Sequence, residues 1–154
     1  MEVIMMLDPS LTGLIGILLA IGVPTISAAA AIIICGTAMA GVGTEKPELL
    51  SRLIITVVLG EALAIYGLLI AFMLISKLPN FKTMEAASKG LMAGIIIAVG
   101  TGAAGAGISY AGSSLIGATA ERPETYSSNV IGVVLSEALA IYGLLIAFMV
   151  IGTI

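Results

Sequence analysis

Two carboxylates carry the chemistry this chain can offer. Glu61 and Glu137 lie 76 residues apart in almost identical surroundings, VVLGEALAIYGLLIAFM over 57–73 and VVLSEALAIYGLLIAFM over 133–149, where only Gly60 and Ser136 differ. Each is the one charged side chain in an apolar stretch long enough to cross a bilayer. A charge at the centre of a spanning helix costs roughly 2.5 to 3.5 kcal/mol on insertion scales, so such an acid marks an ion path or proton relay by default. A carboxyl group facing lipid must be neutral, because desolvation disfavours its anion. Loading with a proton or a sodium ion neutralises it, and Glu61 and Glu137 are therefore read as ion carriers. A proton needs only the carboxyl and one hydrogen-bond partner, for which Tyr66 and Tyr142 are candidates; the bland alternative is that they pack, with the hydroxyl satisfied elsewhere. Five residues along a helix turn through about 140 degrees, so neither tyrosine shares a face with its own glutamate and any contact crosses between helices. Ser136 is the one hydroxyl next to a site, and its counterpart Gly60 lacks it.

The elements that hold these acids follow from composition. With 60% hydrophobic and 10% charged residues and a mean hydropathy of +1.23, 154 residues cannot cover a soluble core with polar surface. The expected class is an all-α membrane protein. A net charge of −3 gives no basic surface for nucleic acid. The lack of histidine and the lone Cys35 leave no cluster with metal-ligand spacing, so neither a metal nor another cofactor is expected, and Cys35 reads as a small packing residue.

Four spanning helices are expected as two tandem hairpins. Residues 1–10 form a short leader with no basic n-region, against a cleaved signal, and Asp8-Pro9-Ser10 opens a helix. The first hairpin covers 11–76, with a long first helix bent at Pro24 and a second helix from about Ser51 that holds Glu61. Residues 77–89 form the connection, with Pro79-Asn80 as the turn signal. The second hairpin covers 90–154, its helices running from about 90 to 118 and from about 127 to 152. The polar break Glu45-Lys46-Pro47-Glu48 recurs 76 residues later as Glu121-Arg122-Pro123-Glu124. An even number of spans separates equivalent points, so the repeats are parallel. The first and third helices are rich in small residues, Ser27 to Ala31 and Gly100, Gly102, Gly105, Gly107 and Gly112. Small residues let backbones approach closely in lipid. Either they make one tight helix pair or they form the crowded inner circle of a ring, with the bulkier second and fourth helices outside.

The pattern Glu-Ala-Leu-Ala-Ile-Tyr-Gly-Leu at 61–68 and again at 137–144, after a Gly/Ala-rich helix and a Glu-Lys-Pro-Glu or Glu-Arg-Pro-Glu loop, resembles the c-subunit, or proteolipid, of rotary ATP synthases and ATPases. The duplicated hairpin resembles the archaeal-type or vacuolar-type form. Retention of both glutamates departs from the vacuolar pattern, in which one hairpin has lost its carboxylate, and favours an A/V-type ATP synthase over a vacuolar-type pump. The resemblance implies a homo-oligomeric rotor ring in lipid, in the cell membrane of an archaeon or bacterium. It implies a separate stator subunit that supplies an arginine, which agrees with the expected lack of Arg or Lys within the spans. Central-stalk subunits would seat on the cytoplasmic loops Glu45, Lys46, Pro47, Glu48 and Glu121, Arg122, Pro123, Glu124. The same loops read without the family are helix punctuation, and Lys46, Arg52 and Arg122 balance Lys77, Lys82 and Lys89, so charge alone does not orient the chain. Sodium-type members add a glutamine on the inner helix and polar side chains after the carboxylate. Here those positions are Ile32, Ile108, Ala62, Leu63, Ala138 and Leu139, and the chain has no glutamine, which favours the proton over sodium. No covalent chemistry is expected on this polypeptide: it is an ion-translocating and not a catalytic subunit.

Two other classes compete. A small channel or secondary transporter also uses paired intramembrane acids but should carry polar residues at several depths, whereas each half here offers one carboxylate in an apolar surround. A purely structural proteolipid has no need of two buried acids at one depth.

Overall fold

The computed structural model describes residues 8–154; most of the expected leader lies outside them. Four long helices account for nearly all of the described chain: α1 (Pro9–Glu45), α2 (Ile55–Ser76), α3 (Met84–Glu121) and α4 (Tyr126–Ile151), with no strand among the described residues. All four are long and apolar enough to cross a membrane. At a rise of about 1.5 Å per residue, the 37 residues of α1 and 38 of α3 each reach about 55 Å. Both therefore extend well beyond a hydrocarbon core of roughly 30 Å.

Local chemistry sets the ends. α1 begins with Pro9 in its first turn, after Asp8, where the missing N–H costs nothing. It runs on through Pro24 without interruption. After the Lys46 cap, Pro47–Leu49 makes a 3-10 turn and Leu50–Leu53 a helical turn that leads into α2; Pro123–Thr125 repeats the 3-10 turn before α4. The expected connection over 77–89 is shorter in the structure, because α3 starts at Met84: the Thr83 hydroxyl accepts from the Ala86 N–H at 3.3 Å and fixes the helix start six residues before Gly90. Lys89 consequently sits in α3, paired one turn along with Glu85 at 2.9 Å.

α1 and α3 run side by side along most of their length, α2 lies on α1 and α4 on α3, and α2 also meets both α3 and α4. Glycine makes the central seam. A Cβ at Gly16 would lie 2.6 Å from the Gly90 carbonyl oxygen, one at Gly105 would lie 2.8 Å from Ser27 Cβ, and one at Gly112 would lie 2.6 Å from Cys35 Sγ. Cys35 is buried there and its thiol donates to the Ile108 carbonyl at 3.6 Å, the packing role expected of it. At the far end Phe81, the one aromatic of the connection, is buried with its ring over Gly90, where an added Cβ would lie 2.7 Å from Cζ. The outer surface is apolar, with Ile26, Phe72 and Leu145 all exposed, as lipid-facing helices require.

Candidate functional site

Glu61 lies in α2 and Glu137 in α4, each near the middle of its candidate membrane span, Pro47–Ser76 and Pro123–Ile151. The environments of the two acids differ in the isolated chain. Tyr66, on α2, donates its hydroxyl to Glu137 Oε1 at 2.6 Å, crossing from one hairpin to the other. The helical angle ruled out a bond within one helix, and the expected cross-helix contact forms for this pair. The surroundings are apolar: Leu63, Ala104, Ile108, Val133 and Ala140 are buried in one cluster, against which Tyr66 packs. Glu137 is half-buried, whereas Glu61 is exposed and no donor reaches it among the described residues. Tyr142, the repeat counterpart of Tyr66, is 63% exposed.

Ser136 does not aim at Glu137. Its hydroxyl donates to the Gly132 carbonyl one turn back at 2.8 Å. Its bulk faces α3, where a Cβ on Gly107 would lie 2.5 Å from Ser136 Oγ. In the first hairpin the matching pair is inverted: Gly60 is the small partner and Ala31 the larger one, with a Gly60 Cβ landing 3.0 Å from Ala31 Cβ. The one difference between the two acid-bearing motifs is thus balanced on the facing helix. Gly60→Ser is expected to overpack against Ala31 and destabilise the hairpin by about 1 to 3 kcal/mol, and Ala31→Gly in the same chain should restore it. Thermal stability of the single and double variants in detergent reads the rescue; additive losses would refute the exchange.

The six cations keep away from both acids. Lys46, Arg52, Lys77, Lys82, Lys89 and Arg122 all lie in loops or within two turns of a helix end. The polar loop residues Glu45, Pro47, Glu48 and 121–124 are exposed, while Lys46 is half-buried because its ammonium donates to the Ala120 carbonyl at the C-terminal end of α3. There it satisfies an open carbonyl and meets the negative end of the helix dipole. No group of three or more His, Cys, Asp or Glu that could hold a metal occurs among the described residues.

Sequence reasoning missed three of these features: the Phe81 wedge, the Lys46 cap, and the Ala31–Gly107 exchange. Only the last left a trace in the sequence, because laying the two repeats over one another puts Ala31 opposite Gly107 as Gly60 falls opposite Ser136.

The ATP synthase C-subunit family matches the chain twice, over residues 15–74 and 91–150, so that each match holds one acid and most of the long helix that precedes it. The chain belongs to that family. Among its relatives, the 16 kDa proteolipid c-subunit of the rat V-type proton ATPase is 31% identical over 112 residues, covering 73% of this chain and 72% of the relative. The corresponding proteolipid of Nephrops norvegicus is 34% identical over 119 residues, covering 73% of this chain and 75% of the relative. The K-subunit of the A-type ATP synthase of Methanocaldococcus jannaschii is 33% identical over 144 residues, covering 94% of this chain and 63% of the relative. With two family repeats and four spanning helices, this c-subunit is the duplicated form, an integral multi-pass, ion-translocating ring subunit of a rotary ATPase.

Proposed function

We propose that Glu61 and Glu137 each carry one proton through the membrane in a ring of this c-subunit, and that the complex is an A/V-type ATP synthase able to run in reverse. The observation that carries this reading is one acid per hairpin, at matched positions in matched helices, with every cation of the chain held at the helix ends. A loaded, neutral acid crosses lipid; an unloaded one needs a cation, which this chain does not bring to that depth. A separate stator subunit therefore supplies the arginine, and this polypeptide is non-catalytic. Tyr66 supports Glu137 by donating to its carboxyl oxygen. The exposed loops 45–48 and 121–124 seat the central stalk on the cytoplasmic side, and the ring lies in the cell membrane of an archaeon or bacterium.

Apolar side chains at Ile32, Ile108, Ala62, Leu63, Ala138 and Leu139 support the proton over sodium, since no side-chain oxygen adds to the carboxylate and the tyrosine. The V-type relatives are named as proton ATPases. Two carriers per chain support synthesis. Each charge crossing 100 mV delivers roughly 2.3 kcal/mol, so a two-acid chain delivers twice the free energy of a one-acid chain at a given number of copies. A vacuolar-type proton or sodium pump is the alternative, favoured by the V-type relatives.

The test is the whole complex in sealed vesicles with ADP and phosphate. An imposed proton gradient is expected to drive ATP formation above an uncoupled control, and a sodium gradient of equal size is expected to drive none. Synthesis on sodium alone overturns the proton assignment. A preparation that pumps on ATP yet makes none under a proton gradient overturns the synthase reading.

A further inference from the structure

Both small-residue helices end on a charge that their own dipole disfavours. α1 closes at Glu45 and α3 at Glu121, with no basic residue in the last turn of either, although the negative end of a helix favours a cation over a carboxylate. Neither acid is paired. The one ion pair among the described residues is Lys89 with Glu85, at the opposite end of α3, and Lys46, next to Glu45 in sequence, turns its ammonium to the Ala120 carbonyl instead. Between the two helix ends lies an open groove of about 450 Å³, walled by Glu45 and Lys46 and by Ala120 and Glu121, with Gly41 and Val42 one turn further down α1. Gly41 leaves that space free, since a Cβ there would meet nothing within 4 Å. A local preference broken twice, at equivalent positions of the repeat and around one cavity, is the signature of a functional surface.

Resting on the reading that the polar loops seat the central stalk, we propose that this groove takes one basic side chain, arginine or lysine, from the stalk subunit that meets the ring. The aliphatic stem lies against Gly41 and Val42 and the charged head stands between Glu45 and Glu121, as suits a long side chain with an apolar body and a cationic tip. Charge complementarity selects this occupant. A cationic head meets two carboxylates and the negative ends of two helices. An acidic side chain would meet like charge from all four, and an apolar one would desolvate both acids without pairing them. Lys46 does not compete for the seat, because the Ala120 carbonyl holds its ammonium. It ties the loop of the first hairpin to the end of α3 and so keeps the two walls together. Since the groove draws on both hairpins, the stalk grips them as one unit, and torque passes to both at once.

Reassociation of the detached soluble sector, stalk included, with the ring-bearing membrane sector tests the groove, using rings found intact by native mass spectrometry. Gly41→Leu fills the groove without touching either charge. Glu45→Gln with Glu121→Gln removes both charges without filling it. Each change is expected to weaken reassociation by about tenfold or more, the scale on which a lost charge pair at an interface is felt, and the double glutamine should also flatten its dependence on salt. Glu85→Gln, at the other end of α3, should leave reassociation unchanged. Normal binding by the Gly41→Leu ring overturns the groove, and normal binding by the double glutamine overturns the basic occupant. If a chelator lowers the unsubstituted ring to the level of the double glutamine, a divalent cation fills the groove and the basic side chain is again overturned. The seating of the stalk on the loops has its own control. Pro47→Cys carrying a bulky maleimide, with Cys35 buried out of reach, should block reassociation, and normal binding by that labelled ring overturns the loops as the seat.

Discussion

Glu61→Gln and Glu137→Gln, made separately, are each expected to lower ATP-driven proton pumping by on the order of 100-fold or more, the scale on which loss of a proton-transferring group is felt. Glutamine keeps the shape and, at position 137, an oxygen that still accepts from Tyr66, so the ring should assemble as before. What it lacks is a charge to alternate. Every copy of a homomeric ring carries the substitution, so every turn brings a dead carrier to the stator and stalls rotation. Pumping measured with reconstituted complex, beside native mass spectrometry of the ring, separates loss of transport from loss of assembly. Normal pumping by either variant makes that glutamate structural and leaves one carrier per chain, which also removes the argument for synthesis.

Gly94→Val should abolish the ring altogether. A Cβ at Gly94 falls on the backbone carbonyl of Gly16, and backbone cannot swing aside as a side chain can. Overpacking of a flexible core costs typically 1 to 3 kcal/mol and occasionally more; here α1 and α3 must separate at their closest point, which also pulls α2 and α4 apart. Gly132→Ala is the matched control, because its Cβ meets only Ala111 Cβ at an ordinary 3.6 Å. That change removes a helix-interior glycine and should stabilise α4 by roughly 0.5 to 1 kcal/mol. Ring yield after membrane extraction reads both. A Gly94→Val ring of normal yield would show that the inner helix pair tolerates a wider seam.

The helix content, the number of spans, the parallel repeat and the acids at issue were all legible in the linear chain. The cause is that lipid imposes a simple code: backbone polar groups must be satisfied within the segment, so an apolar run of sufficient length is a helix. An acid within such a run stands out because the bilayer makes it costly. Duplication added a second, independent reading of every motif. Helix ends were less legible, and α3 begins at Met84 because one hydroxyl, that of Thr83, caps it, a detail that hydropathy does not register.

Partner choice was settled only by the fold. Motifs around Glu61 and Glu137 that differ only at Gly60 and Ser136 give no sign that one acid has a tyrosine and the other does not, since the difference arises from the order of the hairpins: the first has a neighbour on its donor edge within the chain, and the second does not. The same order assigns Lys46 to an internal helix cap and leaves Arg122 exposed. Ser136 stood out in the sequence as the one hydroxyl next to a site, yet that hydroxyl turns back to Gly132 and its bulk fills the space left by Gly107. Residue types and spacing thus determined which groups are charged at what depth, because that depends on one chain and its solvent; the tertiary structure decided which groups meet, because that depends on where the second hairpin lies against the first.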